Sequence, residues 1–332
     1  MAKYRQKASA KRKALVALNV VLAVILVLMV AATAFLEMTL GQVNRFDGQD
    51  QTLSQDQLDD LGSGAGELDV SWGNVLGGIG SDDDVVNILL IGQDRREGEG
   101  RSRSDAMILC TFNKNNATIT FTSFLRDLYV QIPGYADNRL NAAYPLGGPE
   151  LLNETLEVNF GIHVDANVEV DFGQFEQVVD AMGGVDIDLT YEEAEHMMQA
   201  YGFTDLHEGV NHLSGAQALG YSRIRALDSD FGRTSRQRTV LEAMFESCRD
   251  MSIWGIVGLG RELLSMVTTD MTNQDIASYA WNLFPMLSKA EVRTQSVPGD
   301  GLYYDDYIDG MAVLVPDLEA INEMLQQTLL GE

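Results

Sequence analysis

Apolar and polar positions divide the chain into stretches of different texture. Ala14 to Leu36 is an apolar run interrupted only by Asn19 and Thr33. At about 1.5 Å per helical residue it is long enough to cross a hydrocarbon core of about 30 Å, and it predicts a membrane-spanning helix. From Glu37 to Asp84 the chain is rich in Gly, Asp, Gln and Ser without apolar periodicity, which predicts a flexible stalk with one short stretch, Ser71 to Ile79, that could order. Folded texture begins at Val85. Val85 to Ile91 is a short apolar run ending at Gly92, the pattern of a strand buried on both faces. Further strands are predicted at 106–112 and 118–123, joined by the turn Asn113-Lys114-Asn115-Asn116, and at 168–172, 185–189 and 291–297. Helical spacing marks 149–159, 172–182 closing at Gly183-Gly184, a short helix capped by Ser214, a long one over 234–251, and 256–267, 273–283 and 316–330. Strands and helices interleave, so the class is α/β with a mixed, layered sheet. The boundaries are a basic tail at 1–13, the span at 14–36, the stalk at 37–84 and one domain at 85–332.

Charge adds direction. Six of the 23 basic residues precede the apolar run and all 49 acidic residues follow it, so the positive-inside rule places the N-terminus in the cytoplasm and the large C-terminal part outside. A cleaved signal peptide, with Ala32-Thr33-Ala34 as the processing site, is the alternative, although the apolar stretch exceeds the usual length. Either reading exports the domain. The only cysteines, Cys110 and Cys248, form no secretory disulfide framework. Two buried thiols are expected, a single bridge being the alternative.

The residues beyond the span carry a formal charge of −32, from 17 basic and 49 acidic side chains. Such a surface excludes nucleic acid as a partner. Yet 12 of those 17 cations fall between Arg95 and Arg139 or between Arg223 and Arg238, and only Lys114 and Lys289 of the 17 are lysines. Guanidinium groups concentrated in an acidic chain predict a site for a multiply charged anion, a phosphate first of all. Four segments supply it. Asp94, Arg95 and Arg96 follow a buried strand at the edge where open α/β sheets bind ligands, and Arg103-Ser104-Asp105 precedes the next strand, so that a sheet could unite Asp94 and Asp105 as carboxylates for Mg²⁺. Arg126-Asp127 follows a third strand, with Arg139 shortly after. In the last segment Arg233 and Gln237 are four apart and share a helical face, near a helix start that favours anions. Arg236 and Arg238 are expected to pair with acids and hold the helix. For either of the first two segments alone, a surface turn with incidental ion pairs is the competing reading, and for Arg126-Asp127 a structural pair at a strand end. His163, His196, His207 and His212 are scattered and read as structural, and Met244 and Phe245 as core.

The ordered blocks Asn87 to Asp94, Arg103-Ser104-Asp105, Arg126-Asp127, Arg139 to Tyr144, Gly183-Gly184-Val185, Tyr221 to Arg225 and Gly232 to Gln237 resemble the LytR-CpsA-Psr family over about residues 85 to 250. The resemblance implies a layered α-β-α sandwich with an apolar tunnel for a lipid tail. It also implies a phosphotransferase of Gram-positive envelopes that moves a glycopolymer, a teichoic acid for example, from a polyprenyl-pyrophosphate carrier to peptidoglycan, forming a phosphodiester. By motif, Asp94 and Asp105 would hold Mg²⁺ (or Mn²⁺), while Arg103, Arg126, Arg139, Arg223, Arg225, Arg233 and Gln237 would grip the pyrophosphate. Asp105, Arg126 and Asp230 would form the catalytic group, with Asp105 or Asp230 as proton acceptor. Two departures stand out: Arg139 where the family often has Lys, and Leu125 where Pro commonly precedes the Arg-Asp pair. A hydrolase that uses water at the same site, and a non-catalytic envelope binder or regulator, are the alternatives.

Overall fold

The computed structural model describes residues 43–46, 84–93, 103–249, 251–263 and 265–331. The expected membrane span at 14–36, most of the stalk, and Asp94, Arg95 and Arg96 lie outside these residues. Among the described residues no helix is long and apolar enough to cross a membrane.

In chain order the strands are β1 (Asn44–Arg45), β2 (Val85–Gln93), β3 (Ser104–Asn113), β4 (Thr118–Phe124), β5 (Tyr129–Val130), β6 (Asn138–Arg139), β7 (Ala166–Asp171), β8 (Val185–Leu189), β9 (Gly209–Leu213), β10 (Thr268–Thr269), β11 (Glu291–Val297), β12 (Tyr303–Ile308) and β13 (Met311–Pro316). The helices are α1 (Ala143–Phe160), α2 (Phe172–Ala181), α3 (Tyr191–Tyr201), α4 (Gly215–Ser222), α5 (Asp230–Arg249), α6 (Ile253–Leu263), α7 (Asn273–Leu287) and α8 (Leu318–Leu325). The central sheet has the order β1-β10-β7-β2-β3-β4-β11. Pairing is parallel for β2 with β7 and for β4 with β11, and antiparallel for β3 with both its neighbours, so the sheet is mixed.

Alternation along the strands explains the layers, because successive side chains face opposite sides. Leu89, Ile91, Met107 and Leu109 point to one face and pack with Leu152, Leu156 and Phe160 of α1 and with Ile321 and Leu325 of α8. Val86, Ile108, Cys110, Ile119 and Phe121 point to the other, against Leu283 and Met286 of α7 and Leu241 and Phe245 of α5. Two buried faces are why β2 and β3 read as near-continuous apolar runs rather than alternating ones. A separate apolar cluster joins the β8–β9 hairpin to α3, α4 and α5 through Val185, Ile187, Met197, Ala218, Tyr221 and Val240.

Most predicted elements stand within a few residues of their expected bounds, and three differences matter. The long helix starts at Asp230 rather than near Thr234, which puts Asp230 and Arg233 in its first turn. The helix expected at 149–159 starts at Ala143 and kinks at Gly147 and Gly148, just before Pro149. The third is α3, which sequence reading passed over because its residues Tyr-Glu-Glu-Ala-Glu-His are mostly polar; its capping box of Thr190 and Glu193 was the available signal. Cys110 and Cys248 are both free thiols, and burial raises the pKa of each, which makes them poor nucleophiles.

His212 fastens the Gly183-Gly184 turn. Its Nδ1 lies 2.7 Å from Asp186 Oδ1 and its Nε2 2.8 Å from the Gly183 carbonyl oxygen, so the ring serves both acceptors only when doubly protonated. Gly184 has a φ of +92°, and a Cβ there would collide with this ring. The bond to Asp186, then the one to Gly183, raises the His212 pKa. Its stabilisation is therefore complete below the ordinary imidazole value of about 6.5 and is lost as pH rises through the raised folded value. The difference in unfolding midpoint between the protein and His212→Gln is expected to be largest near about pH 5 and to vanish in alkaline buffer, as measured by thermal melts across a pH series.

Candidate anion site at the sheet edge

Because β3 runs against β2 and β4, its N-terminal end and the C-terminal ends of the other two share one edge of the sheet. That edge holds the site. Gly92 pairs with Ala106, but Gln93 pairs with Ser104, so Asp105 is the extra residue of a β-bulge. Bulges re-aim a side chain that regular alternation would send elsewhere. Arg126 and Asp127 follow β4 one residue on, after Leu125. Asp230 and Arg233 enter from the first turn of α5, and Arg223 and Arg225 from the loop after α4.

Ion pairs knit these elements together. Arg126 Nη1 donates to Asp105 Oδ1 at 2.9 Å. Arg126 Nε lies 3.5 Å from Asp127 and 3.9 Å from Asp230, while Arg225 Nη2 lies 3.7 Å from the same Asp105 oxygen. Arg233, whose side chain is 2% exposed, forks onto both Asp230 oxygens at 2.7 and 2.9 Å and donates through Nη1 to the Asp105 backbone carbonyl at 2.8 Å. Arg139, on β6, binds Asp127 at 3.2 Å, one step removed from the centre. The Arg223 guanidinium stacks over the Phe172 ring at 4.4 Å, a cation–π contact that fixes its plane. Arg103 stands immediately before β3 and is partly exposed.

The titration shifts follow from this crowding. Burial, then the charges of Arg126 and Arg233, lowers the Arg225 pKa against the opposing pull of Asp105 and Asp230. Burial alone would raise the Asp230 carboxyl, but the Arg233 bond and the charges of Arg233, Arg126 and Arg225 outweigh it and hold the group below the ordinary carboxylate value. Asp230 is thus a weak base whose oxygens are both engaged. Asp105 Oδ2 has no bond to another described residue.

The side chains bound a polar pocket of about 220 Å³ lined by Asp105, Arg223, Arg225, Arg233 and Gln237 together with Phe172, Tyr201 and Ser222. Gly92, Ala106, Phe172, Ser222 and Gln237 also line a second cavity of about 220 Å³ that continues beneath α2, α4 and α5. Its floor is one face of the sheet, with Leu90, Ile108, Val168 and Val170, and its roof carries Phe175, Leu219, Leu241 and Met244. The two therefore form a charged mouth over an apolar channel. Gly92 keeps the junction open, since a Cβ there would stand 3.1 Å from that of Ala106. Arg233 and Gln237 share the face that their spacing predicts. Phe172, Tyr201 and Ser222 were not singled out in the sequence, where nothing distinguishes them from core or cap residues.

Two cluster arginines lie apart. Arg236 is buried and binds Glu193 at 2.7 Å and Asp228 at 2.6 Å, and a side chain at Gly232 would collide with that Asp228 carboxylate. Arg238 has Glu242 as its charge neighbour one turn on.

A hard divalent ion suits part of this donor set. Asp105 offers a carboxylate oxygen in the wall of an arginine-lined pocket, and Mg²⁺ is commonly held by one or two carboxylates, phosphate oxygens and water. Its expected companion, Asp94, lies outside the described residues, and among those residues no group of three or more His, Cys, Asp or Glu could hold a metal.

The LytR_cpsA_psr family model matches residues 46–329. The chain is 30% identical over 252 residues to a regulatory protein MsrR of Staphylococcus aureus, covering 74% of this chain and 76% of the relative. It is 32% identical over 252 residues to a polyisoprenyl-teichoic acid–peptidoglycan teichoic acid transferase TagU of Oceanobacillus iheyensis, covering 73% and 74%. A solved structure of the family protein YwtF (TagT) with bound octaprenyl pyrophosphate lipid superposes with a TM-score of 0.58 at 28% identity, covering 74% of this chain and 91% of that one.

The partners separate arginines that hold the fold from those that face the pocket. Arg236→Met leaves the largely buried Glu193 carboxylate and the exposed Asp228 carboxylate without their cation and is expected to cost about 3 kcal/mol of stability. Arg225→Met, at a half-exposed side chain, is expected to change it by less than about 1 kcal/mol. Urea denaturation of the two variants measures the contrast.

Proposed function

The chain belongs to the LytR_cpsA_psr family, and we propose that it is a membrane-anchored phosphotransferase that moves a glycopolymer from a polyprenyl-pyrophosphate carrier to peptidoglycan. The observation that carries this reading is the shared wall between the charged pocket and the apolar channel. A ligand that fills both has a polyanionic head and a long apolar tail joined directly, which is the chemistry of a polyprenyl pyrophosphate. Such a donor stays in a membrane, in keeping with an N-terminus in the cytoplasm, a span at 14–36 and a domain outside in a Gram-positive envelope.

In this reading the tail lies along Val168, Val170, Leu241 and Met244, and the pyrophosphate meets Arg223, Arg225 and Gln237, with the buried charge of Arg233 beneath them. Arg126 is held by Asp105, Asp127 and Asp230, so its charge stands fixed behind the Asp105 wall of the pocket. Arg103 and Arg139 extend the positive rim. A sugar hydroxyl of the acceptor attacks the phosphorus attached to the polymer, a phosphodiester forms, and the bond to the bridging oxygen breaks with polyprenyl phosphate as leaving group. Phosphoryl transfer depends mainly on alignment and on charge neutralisation where charge develops, which fixed guanidinium groups supply. Asp230, doubly bound by Arg233 and held low in pKa, is suited to orienting the arginines. Asp105, with Oδ2 available, is suited to receive the hydroxyl proton. Mg²⁺ (or Mn²⁺) held by Asp94 and Asp105 would neutralise pyrophosphate oxygens.

Reconstitution of the full chain in vesicles with a lipid-linked polymer and peptidoglycan tests the proposal. Polymer is expected to become attached to peptidoglycan, and Arg225→Ala to lower kcat/KM about 10²-fold or more, the scale of losing one charge-stabilising donor. Polymer released but never attached would identify a hydrolase. Unchanged attachment in Arg225→Ala and Asp105→Ala would leave a binder or regulator.

The channel makes a separate prediction. Val170→Phe fills its floor, and turnover is expected to fall about tenfold or more for a long-chain polyprenyl donor while a short-chain donor is spared, as measured by comparing the two donors in one assay.

A further inference from the structure

The β12–β13 hairpin carries exposed aromatic residues that the anion site does not use. Tyr304 is 58% and Tyr307 70% exposed, with Asp305 and Asp306 between them also exposed. An exposed tyrosine offers a ligand a flat apolar face with a polar tip. Among the described residues β12 pairs only with β13 and so is an edge strand.

Register sorts these side chains by face. Tyr303 pairs with Pro316, Asp305 with Leu314 and Tyr307 with Ala312, whereas Tyr304 pairs with Val315, Asp306 with Val313 and Ile308 with Met311. Opposed residues in an antiparallel pair share a face. Tyr304, Asp306 and Ile308 therefore lie on the side of the small core built on Tyr129, Val313 and Val315. Tyr303, Asp305 and Tyr307 lie on the other side, and there Tyr303 stacks on Phe231 with ring centroids 5.5 Å apart. Phe231 follows Asp230 directly in the first turn of α5. The hairpin is tied to the site a second time, where the Leu314 N–H donates to the Asp127 carbonyl at 2.9 Å. At about 3.3 Å per residue, the row from Tyr303 to Tyr307 extends about 13 Å from the edge of the anion site.

We infer that this row, Tyr303, Asp305 and Tyr307, is the docking ledge for the acceptor glycan. Aromatic rings receive the C–H faces of sugars, and the carboxylate between them accepts hydrogen bonds from hydroxyl and amide N–H groups. Charge selects the occupant. A ledge bearing Asp305, with Asp309 at the turn beyond it, repels an anionic donor polymer and accepts an uncharged N-acetylhexosamine strand. The inference deepens the transferase reading and rests on it for the word acceptor, while the carbohydrate site itself does not depend on turnover.

The test uses the full chain in detergent micelles and, as probe, a peptide-free β-1,4-linked N-acetylhexosamine oligosaccharide, with affinity read by titration calorimetry. Tyr307→Ala is expected to weaken binding about fivefold or more, the scale of truncating an interface contact residue. Tyr307→Trp is expected to retain binding, and Tyr304→Ala, on the opposite face, to leave it unchanged. In the transfer assay Tyr307→Ala is expected to raise KM for peptidoglycan while kcat and KM for the lipid-linked donor hold. Wild-type affinity in Tyr307→Ala, equal loss in Tyr304→Ala, or a raised donor KM would overturn the ledge. Oligosaccharide binding that depends on Tyr307 in a protein without transfer activity would keep the ledge and remove the transferase reading. Normal transfer with no Tyr307 dependence would do the reverse.

Discussion

Arg233 is the joint on which the site depends. Its guanidinium is almost wholly removed from water, and all three of its nitrogens are engaged, two with the Asp230 carboxylate and one with the Asp105 backbone. One side chain thus locks the first turn of a helix to the bulge of a strand. A buried guanidinium left without such partners would be strongly destabilising, so the helix start, the bulge and the loop of Arg225 must be in place together. The charges facing the pocket are therefore organised before any ligand arrives.

The carboxylates among the arginines answer a related constraint. Arg126, Arg225 and Arg233 repel one another at these separations, and burial adds to the penalty. Asp105, Asp127 and Asp230 relieve it. Each sits behind or beside the cations, which leaves the donors of Arg223 and Arg225 toward the pocket. The local surplus is positive although the whole chain carries a formal charge of −26, and an incoming polyanion meets a focused field rather than a uniformly acidic surface.

Much of this was legible in the sequence because it is local. Apolar runs closed by Gly92 and Asn113 marked β2 and β3, the turn at 113–116 placed β4 after them, and Ser214 announced the start of α4. The spacing of Arg233 and Gln237 placed them on one face, and the separation of Arg236 from the pocket-facing arginines was also readable. What sequence could not supply was pairing. Asp105 is aimed by a register shift that exists only against Gly92 and Gln93, and Arg233 reaches a backbone carbonyl 128 positions earlier. Phe172 and Tyr201 enter the pocket through tertiary packing, and the hairpin over 303–316 escaped notice because Tyr-Tyr-Asp-Asp-Tyr lacks the alternation of a half-buried strand.

The bulge at Asp105 also has a consequence for how this segment can vary. Side-chain direction in a strand is a matter of parity, and one residue gained or lost flips every later position to the opposite face. The extra residue is absorbed between Ser104 and Ala106, so β3 beyond it stays in phase with both neighbours. A deletion here could be accommodated by erasing the bulge, leaving the apolar packing of β3 intact while removing the kink that aims the carboxylate. Substitutions at this edge are graded in their effect, but a change of length is a switch.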